Sequence, residues 1–343
     1  MDIGLFSDLQ LAGQRLMVGF NGTGLNPGLK FLIDTLKVGG VILFSRNIVD
    51  PDQLRELCGS VQDYALSVGQ PPLFIAIDQE GGKVARLKPP FTQFPGNPHM
   101  AGKKDARRFA EITARELAQV GINMNMAPVL DVAPLGMESI MADRAFGDDP
   151  LWVSYLGAHV IEHLQKNGVM AVAKHFPGIG RTILDSHLDR PSLAVDLNDM
   201  KSFDLVPFED AIRHDVSAVM LSHILYDAID DKWPASLSPA IARDLLRARM
   251  GFDALVITDD LDMGAIKGHY DIQTVMGQVM EAQIDIALIC HSTENMECAV
   301  EEILHLQEAS ETVKTNGWKS VRRIMALKEK YLCGQMTDDS RLM

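Results

Sequence analysis

Short apolar runs rich in Val, Ile, Leu and Met alternate along the chain with longer stretches in which apolar residues return every third or fourth position. A continuous apolar run of four to eight residues is what a parallel strand buried on both faces requires. Eight such runs occur, at residues 15–20, 40–44, 73–78, 122–128, 169–176, 217–222, 254–258 and 284–290. The intervening helical patterns include 104–120, 151–167 and 239–250, the last opened by Ser238 as N-cap with Pro239 at the first helical position. Repeated strand-helix alternation predicts a parallel sheet of the α/β class, and eight units predict closure into a single (β/α)8 TIM-type barrel. An open doubly wound sheet would use the same units in another order. The polar residues favour the barrel: Asp78, Lys174 with His175, His223, and Asp259 with Asp260 all fall at the C-terminal ends of apolar runs, the rim where barrel enzymes carry their chemistry.

At 343 residues the chain exceeds an ordinary domain of roughly 100 to 200 residues, yet no Gly/Ser-rich linker divides it. One barrel over residues 1–333 is therefore expected, with 334–343 as a polar tail that frays. A hydrophobic fraction of 47% and a charged fraction of 23% exclude a disordered chain. The balance of 32 basic against 46 acidic residues, a net charge of -14, repels polyphosphate and argues against nucleic acid as a partner. No apolar run approaches the roughly 18 residues a membrane span needs, and the opening stretch, with Asp2 and Asp8 and no basic cluster, lacks the layout of a secretory signal. Cys58, Cys290, Cys298 and Cys333 show no CxxC spacing, which argues against a zinc site and a disulfide framework and makes the cytoplasm the expected location. The 18 methionines, Met124 and Met126 among them, read as core filler.

The richest segment runs Lys174-His175-Phe176-Pro177-Gly178-Ile179-Gly180-Arg181-Thr182-Ile183-Leu184-Asp185-Ser186-His187. A buried strand ends in two polar residues, and a loop containing Pro and Gly then presents an Asp-x-His pair. An aspartate two residues from an imidazole can accept its N–H, fix its tautomer and raise its basicity. A histidine so held can hand a proton to a leaving oxygen and recover one from water. The same spacing also fits a loop aspartate capping backbone amides beside a solvated histidine.

Asp259 follows Ala254-Leu255-Val256-Ile257-Thr258 and precedes Asp260-Leu261. A carboxylate at a strand mouth can attack an anomeric carbon, as retaining glycosidases require. An Asp-Asp pair also suits metal binding or helix capping, although no His-x-His pattern stands nearby to strengthen the metal alternative. In an extended backbone Asp260 points to the opposite side, so the two carboxylates need not share a site. Asp78 ends a third apolar run and leads into Gln79-Glu80-Gly81-Gly82-Lys83-Val84-Ala85-Arg86. The glycine pair permits a tight turn that returns Arg86, and the two charges can either grip sugar hydroxyls or pair structurally. Arg144 stands in a long loop, where an arginine is usually solvated, and His223 suits packing as well as ligand contact.

Six segments occur in a fixed order: Ile77-Asp78-Gln79-Glu80-Gly81-Gly82-Lys83-Val84-Ala85-Arg86, Ala127-Pro128-Val129-Leu130-Asp131-Val132, Asp143-Arg144-Ala145-Phe146-Gly147, Lys174-His175-Phe176-Pro177-Gly178, Asp185-Ser186-His187, and Thr258-Asp259-Asp260-Leu261-Asp262-Met263. Together they resemble the single-domain bacterial β-N-acetylglucosaminidases (β-hexosaminidases) of glycoside hydrolase family 3, over about residues 13–303. The resemblance implies Asp259 as nucleophile and His187, partnered by Asp185, as an acid/base in place of a carboxylic acid. It also implies that Asp78, Arg86, Arg144, Lys174 and His175 hold the hydroxyls of the terminal sugar. No metal and no organic cofactor are implied. The expected substrates are GlcNAc-containing muropeptides or chitooligosaccharides, met in peptidoglycan recycling in the cytoplasm, and the expected state is a monomer. Three positions depart from the family pattern: Ile179 stands where histidine is common, Lys83 where arginine is frequent, and Thr258 where serine is usual.

The expected reaction is retaining hydrolysis of terminal β-linked GlcNAc through a glycosyl-aspartate. A phosphorylase on the same site is an alternative, because a neutral imidazole does not repel phosphate. So is a sugar-binding protein that has lost catalysis, motivated by Ile179, and so is substrate-assisted cleavage by the acetamido group. A barrel aldolase with Lys174 as Schiff-base lysine is a further alternative, which leaves Asp185, His187 and Asp259 without roles.

Overall fold

The computed structural model describes residues 3–183 and 191–333. Eight parallel strands close into a barrel. They are β1 (Leu16–Val18), β2 (Gly40–Leu43), β3 (Phe74–Ile77), β4 (Met124–Asn125), β5 (Met170–Phe176), β6 (Ala218–Leu221), β7 (Leu255–Asp260) and β8 (Ile286–Ile289). Each strand pairs with its neighbours in sequence, and β8 closes on β1 in the register Leu16↔Ala287. All eight expected apolar runs are strands of this barrel, and the open doubly wound alternative is thereby excluded.

Each strand is followed by a helix of the outer ring: α1 (Pro27–Asp34), α2 (Pro51–Ser67), α3 (Lys103–Gln119), α4 (Pro150–Lys166), α5 (Val206–Arg213), α6 (Ala240–Arg249), α7 (Ile272–Glu281) and α8 (Thr293–Ala309). Proline and a capping side chain open several of them. In α2 Asp50 accepts the Gln53 N–H ahead of Pro51, and in α1 Asn26 accepts that of Leu29 ahead of Pro27. Ser238 caps α6 as expected, its Oγ accepting the Ile241 N–H at 3.2 Å, but the helix is wound with π geometry.

The two-residue period of the strands sorts their side chains into two layers. Met17, Ile42, Phe74, Ala76, Met124, Met170, Val172, Met220 and Ile257 fill the barrel interior, while Leu16, Val18, Val41, Leu43, Ile75 and Ile77 pack outward on the helices. Methionine is the interior filler, as expected, since its unbranched chain adapts to an irregular volume. Ile324, Tyr331 and Leu332 from the C-terminal helical segment plug the bottom of the barrel. The expected strand at 122–128 shortens to two residues because asparagine side chains take over ladder positions. Asn123 Oδ1 accepts the Ile75 N–H at 2.9 Å, and Asn125 bonds both the N–H and the carbonyl of Gln79 at 3.0 Å.

The tail 334–343 lies outside the described residues, as do Asp185 and His187. No helix among the described residues is long and apolar enough to cross a membrane.

Candidate active site

Two breaks in strand register fall where the polar residues stand. Along β5 the pairing with β6 passes from Ala173↔Val219 to Phe176↔Leu221, so Lys174 and His175 together oppose a single residue. Along β7 the pairing with β8 passes from Ile257↔Ile286 to Asp260↔Leu288 in the same way. A bulge of this kind bends the strand and re-aims its side chains. Adjacent residues that a regular strand would send to opposite faces therefore line one cavity. The extended-backbone expectation for Asp260 is corrected: Asp259 and Asp260 share the site, as do Lys174 and His175.

The cavity opens at the C-terminal mouth of the barrel and encloses about 420 Å³, inside the roughly 300 to 1,000 Å³ common for small-molecule sites. Asp78, Arg86, Arg144, Lys174, His175 and Asp259 all line it, with Phe44, Met220, Asp262, Met263 and His291 among the remaining wall residues. Six sequence-expected residues from four segments are thus in one place; the remaining two, Asp185 and His187, lie outside the described residues.

A frame of paired charges holds one wall. Asp78 accepts Lys174 Nζ at 2.8 Å and Arg86 Nη2 at 3.1 Å. Glu80, 2% exposed, accepts the same Lys174 Nζ at 2.7 Å and grips Arg144 through both oxygens, at 3.0 Å from Nε and 2.7 Å from Nη2. Burial alone would raise the Asp78 carboxyl, but Lys174 and Arg86 outweigh it and hold the group well below the usual carboxylate range. Burial likewise works against the Lys174 ammonium, yet Asp78 and Glu80 reverse the effect and raise its pKa. A Schiff-base lysine needs the opposite shift, so the aldolase alternative fails here. The Asp78–Arg86 pair is both structural and exposed to the cavity.

Backbone geometry delivers Arg86. Gly81 and Gly82 adopt φ of +86° and +61°, which glycine tolerates, and residues Gln79–Gly81 then pair antiparallel with Val84–Ala85. The buried Gln79 side chain clamps the returning strand by accepting the N–H groups of Arg86 and Leu87 at 2.9 and 3.1 Å. The expected tight turn is present. Arg144 is no solvated loop residue: Glu80 pins it, and Asn97 Nδ2 holds its carbonyl at 2.8 Å.

His175 is oriented from behind by Asp131, which is fully buried. Its Nδ1 lies 2.8 Å from Asp131 Oδ2, while Asp131 Oδ1 accepts the backbone N–H groups of His175 and Ile179. With Asp131 as acceptor, Nδ1 carries the proton and Nε2 is left as the free ring nitrogen. His223 is a packing residue: buried, with Nδ1 2.7 Å from Ser236 Oγ and Nε2 2.8 Å from the Asp260 carbonyl, it braces the end of β7.

The pKa values of the β7 carboxylates move in opposite directions. Burial alone would raise Asp259, but His223, His175, the Asp260 amide and Lys174 hold it below the ordinary range. Asp260 is pushed up to about 6 by burial, despite bonds from the Asp262 and Cys290 amides, with the charges of Asp262 and Asp259 adding to the rise. Asp262 is committed to structure, accepting the N–H groups of His291 and Ser292 at 2.8 and 2.9 Å and Asn295 Nδ2 at 2.7 Å. Asp260 Oδ1 is thus taken up by the Asp262 and Cys290 amides, whereas Asp259 accepts one backbone N–H, through Oδ1, and its ionised form is the more strongly favoured of the pair. Glu80, Gln79, Asp131 and Phe44 escaped the sequence reading of roles, although three of them sit inside motifs it quoted. Phe44 forms an aromatic wall with Arg46 and Arg86 guanidinium groups at 4.6 and 5.6 Å from its ring centre.

The family model for the glycosyl hydrolase family 3 N terminal domain matches residues 13–327. The chain belongs to glycosyl hydrolase family 3. Curated relatives include a β-hexosaminidase of Nitrosomonas eutropha, 34% identical over 82% of this chain and 81% of its own length. Another, from Thiobacillus denitrificans, is 37% identical over 81% and 79%. A solved family 3 β-N-acetylglucosaminidase from Paenibacillus sp. str. FPU-7 superposes with a TM-score of 0.91 at 36% identity, covering 95% of this chain and 63% of that one. The β-N-acetylhexosaminidase of Beutenbergia cavernae gives a TM-score of 0.88 at 27% identity, over 94% of this chain and 98% of that one.

Against the family pattern, the three departures are locally accommodated. The Ile179 side chain is buried in the apolar core and its N–H anchors on Asp131, so the loop leaves β5 packed by hydrophobic contact. Lys83 pairs with Asp143, both side chains being largely exposed. Thr258 Oγ1 accepts the Leu288 N–H at 2.9 Å, a bond that a serine hydroxyl would also make.

Proposed function

We propose that this chain is a retaining exo-β-N-acetylglucosaminidase that hydrolyses terminal β-linked GlcNAc, with Asp259 as nucleophile and His187, partnered by Asp185, as acid/base. As a family 3 member with curated β-hexosaminidase relatives, it is a glycoside hydrolase of the β-N-acetylhexosaminidase type. The observation that carries the mechanism is geometric: Asp259 lines the same cavity as Asp78, Arg86, Arg144 and Lys174, whose charged groups are fixed by ion pairs.

Asp78, Arg86, Arg144 and Lys174 bind the hydroxyls of the terminal sugar, with His175 completing the set. Charge-assisted bonds from groups already locked in place cost little reorganisation. Asp259 attacks the anomeric carbon as the bond to the leaving oxygen breaks and His187 donates its proton to that oxygen. Water then gives a proton to His187 and displaces Asp259, restoring the β-configuration. The substrates are GlcNAc-containing muropeptides or chitooligosaccharides. A cytoplasmic role in peptidoglycan recycling accords with four cysteines that are all free thiols.

The test is cleavage of an aryl β-GlcNAc by the parent chain and by Asp259→Ala and His187→Ala. Each variant should lose roughly a hundredfold or more in kcat/KM. The product of the parent in physiological phosphate should be free GlcNAc; near-native rates in either variant, or GlcNAc-1-phosphate as main product, contradict the proposal.

A further inference from the structure

Away from the sugar cavity, on the outer ring, α4 carries His159, Glu162 and His163. Positions i and i+4 of a helix lie one turn apart on one face, with i+3 beside them. Two imidazoles and a carboxylate therefore project together, and their ligand atoms lie within 4.8 Å of one another. The two rings are 6.3 Å apart, centre to centre, and inclined by 32°.

The neighbouring helix brings a fourth donor. Glu111 of α3 places Oε1 3.3 Å from His163 Nδ1, with the His163 side chain only 12% exposed. The approach is misaligned, and this buried ring nitrogen makes no hydrogen bond. Buried polar atoms are normally satisfied, and one that is not calls for an explanation such as an ion. Arg107 Nε donates to the same Glu111 Oε1 at 2.8 Å.

We propose that His159, Glu162 and His163, completed by Glu111, bind a divalent transition metal, zinc foremost. Two imidazoles exclude a preference for calcium or magnesium, which seek six or more oxygen ligands in the first case and octahedral oxygen in the second. Two nitrogen and two oxygen donors suit tetrahedral zinc, and two carboxylates neutralise its charge. The His-x-x-Glu-His spacing is also that of one class of zinc-binding helices. None of these four residues lines the sugar cavity; the metal bridges α3 and α4 and so stabilises the ring of helices by binding the folded state alone.

The experiment is calorimetric titration of the EDTA-stripped, dialysed full chain with zinc chloride at pH 7.5, with cobalt(II) as a spectroscopic stand-in. One zinc per chain, a tetrahedral cobalt absorption band, and a zinc-dependent rise in melting temperature are expected. His163→Gln and the half-exposed His159→Gln should each weaken binding at least tenfold and abolish the thermal shift, while aryl β-GlcNAc turnover without added metal stays unchanged. Asp259→Asn should bind zinc like the parent. Absence of saturable binding, undiminished binding in both histidine variants, or loss of binding in Asp259→Asn, which would put the ion in the sugar cavity, overturns the proposal.

Discussion

Replacing Glu80 with glutamine removes one negative charge from the frame beneath the sugar cavity and keeps its shape. Glu80 and Lys174 are 2% and 3% exposed, and Glu80 serves Lys174 at 2.7 Å and Arg144 through two bonds. Removing one partner of a buried ion pair costs roughly 3 to 5 kcal/mol, because the other charge stays buried. Here Asp78 still accepts from Lys174, and glutamine keeps one acceptor oxygen, so the loss should fall at about 2 to 3 kcal/mol. Urea unfolding measures it. The catalytic cost follows from the two cations that Glu80 positions: a hydrogen bond to a charged group is worth roughly 1.5 to 3 kcal/mol, so slackening one should lower kcat/KM on an aryl β-GlcNAc about ten- to a hundredfold. Protonation gives an independent readout. Burial opposes ionisation of Glu80, but Lys174 and Arg144 outweigh it and lower its pKa. Its contribution is therefore full above the unfolded value of about 4.3 and is lost as pH falls from there through the folded pKa. Glu80→Gln should be less sensitive to acid over that window. An unchanged urea midpoint together with kcat/KM within twofold of the parent would refute the positioning role.

Lys328, buried at the barrel bottom, bonds Gln14 Oε1 at 2.7 Å and has its pKa lowered to about 7 by burial, with Cys333 acting in the opposite sense. Because the unfolded chain binds this proton up to about pH 10.4, stability should rise between pH 7 and 10 in the parent. Lys328→Met should remove that slope and gain about 1 to 3 kcal/mol at pH 7, as thermal unfolding against pH will record; a steeper slope in the variant would contradict the assignment. Asp131→Asn replaces the acceptor behind His175 Nδ1 with a group that can present an amide instead. Loss of roughly 10- to 100-fold in kcat/KM is expected, together with a displaced His175 imidazole resonance in NMR; a parent-like resonance and rate would show that Asp131 is only a core residue.

The fold was legible because the barrel imposes a simple code. Strands buried on both faces must be apolar throughout, and the few polar positions stand out at their ends, as Asp78, Lys174 and Asp259 do. The site was legible for those residues and for Arg86, Arg144 and His175, whose motifs mark them. Glu80 carried no local signal of its own, because its meaning lies in an arginine 64 positions away. The shared cavity of Asp259 and Asp260 was hidden by the assumption of a regular strand, which the β7 bulge breaks. The strand at 122–128 ran too long because apolar pattern alone does not show that Asn123 and Asn125 bond the neighbouring backbone through their side chains. Lys328 is invisible to patterning for the opposite reason: a lysine in a helix reads as solvated until the barrel floor covers it.

Covalent trapping examines the claim on which the mechanism depends. A fluorinated GlcNAc donor with a good leaving group, added to the parent chain and followed by proteolysis and peptide mass spectrometry, should leave one sugar on the peptide containing Asp259, with fragmentation assigning it to that carboxylate. A label on another residue, or turnover through an oxazoline with no adduct at all, would contradict nucleophilic catalysis by Asp259.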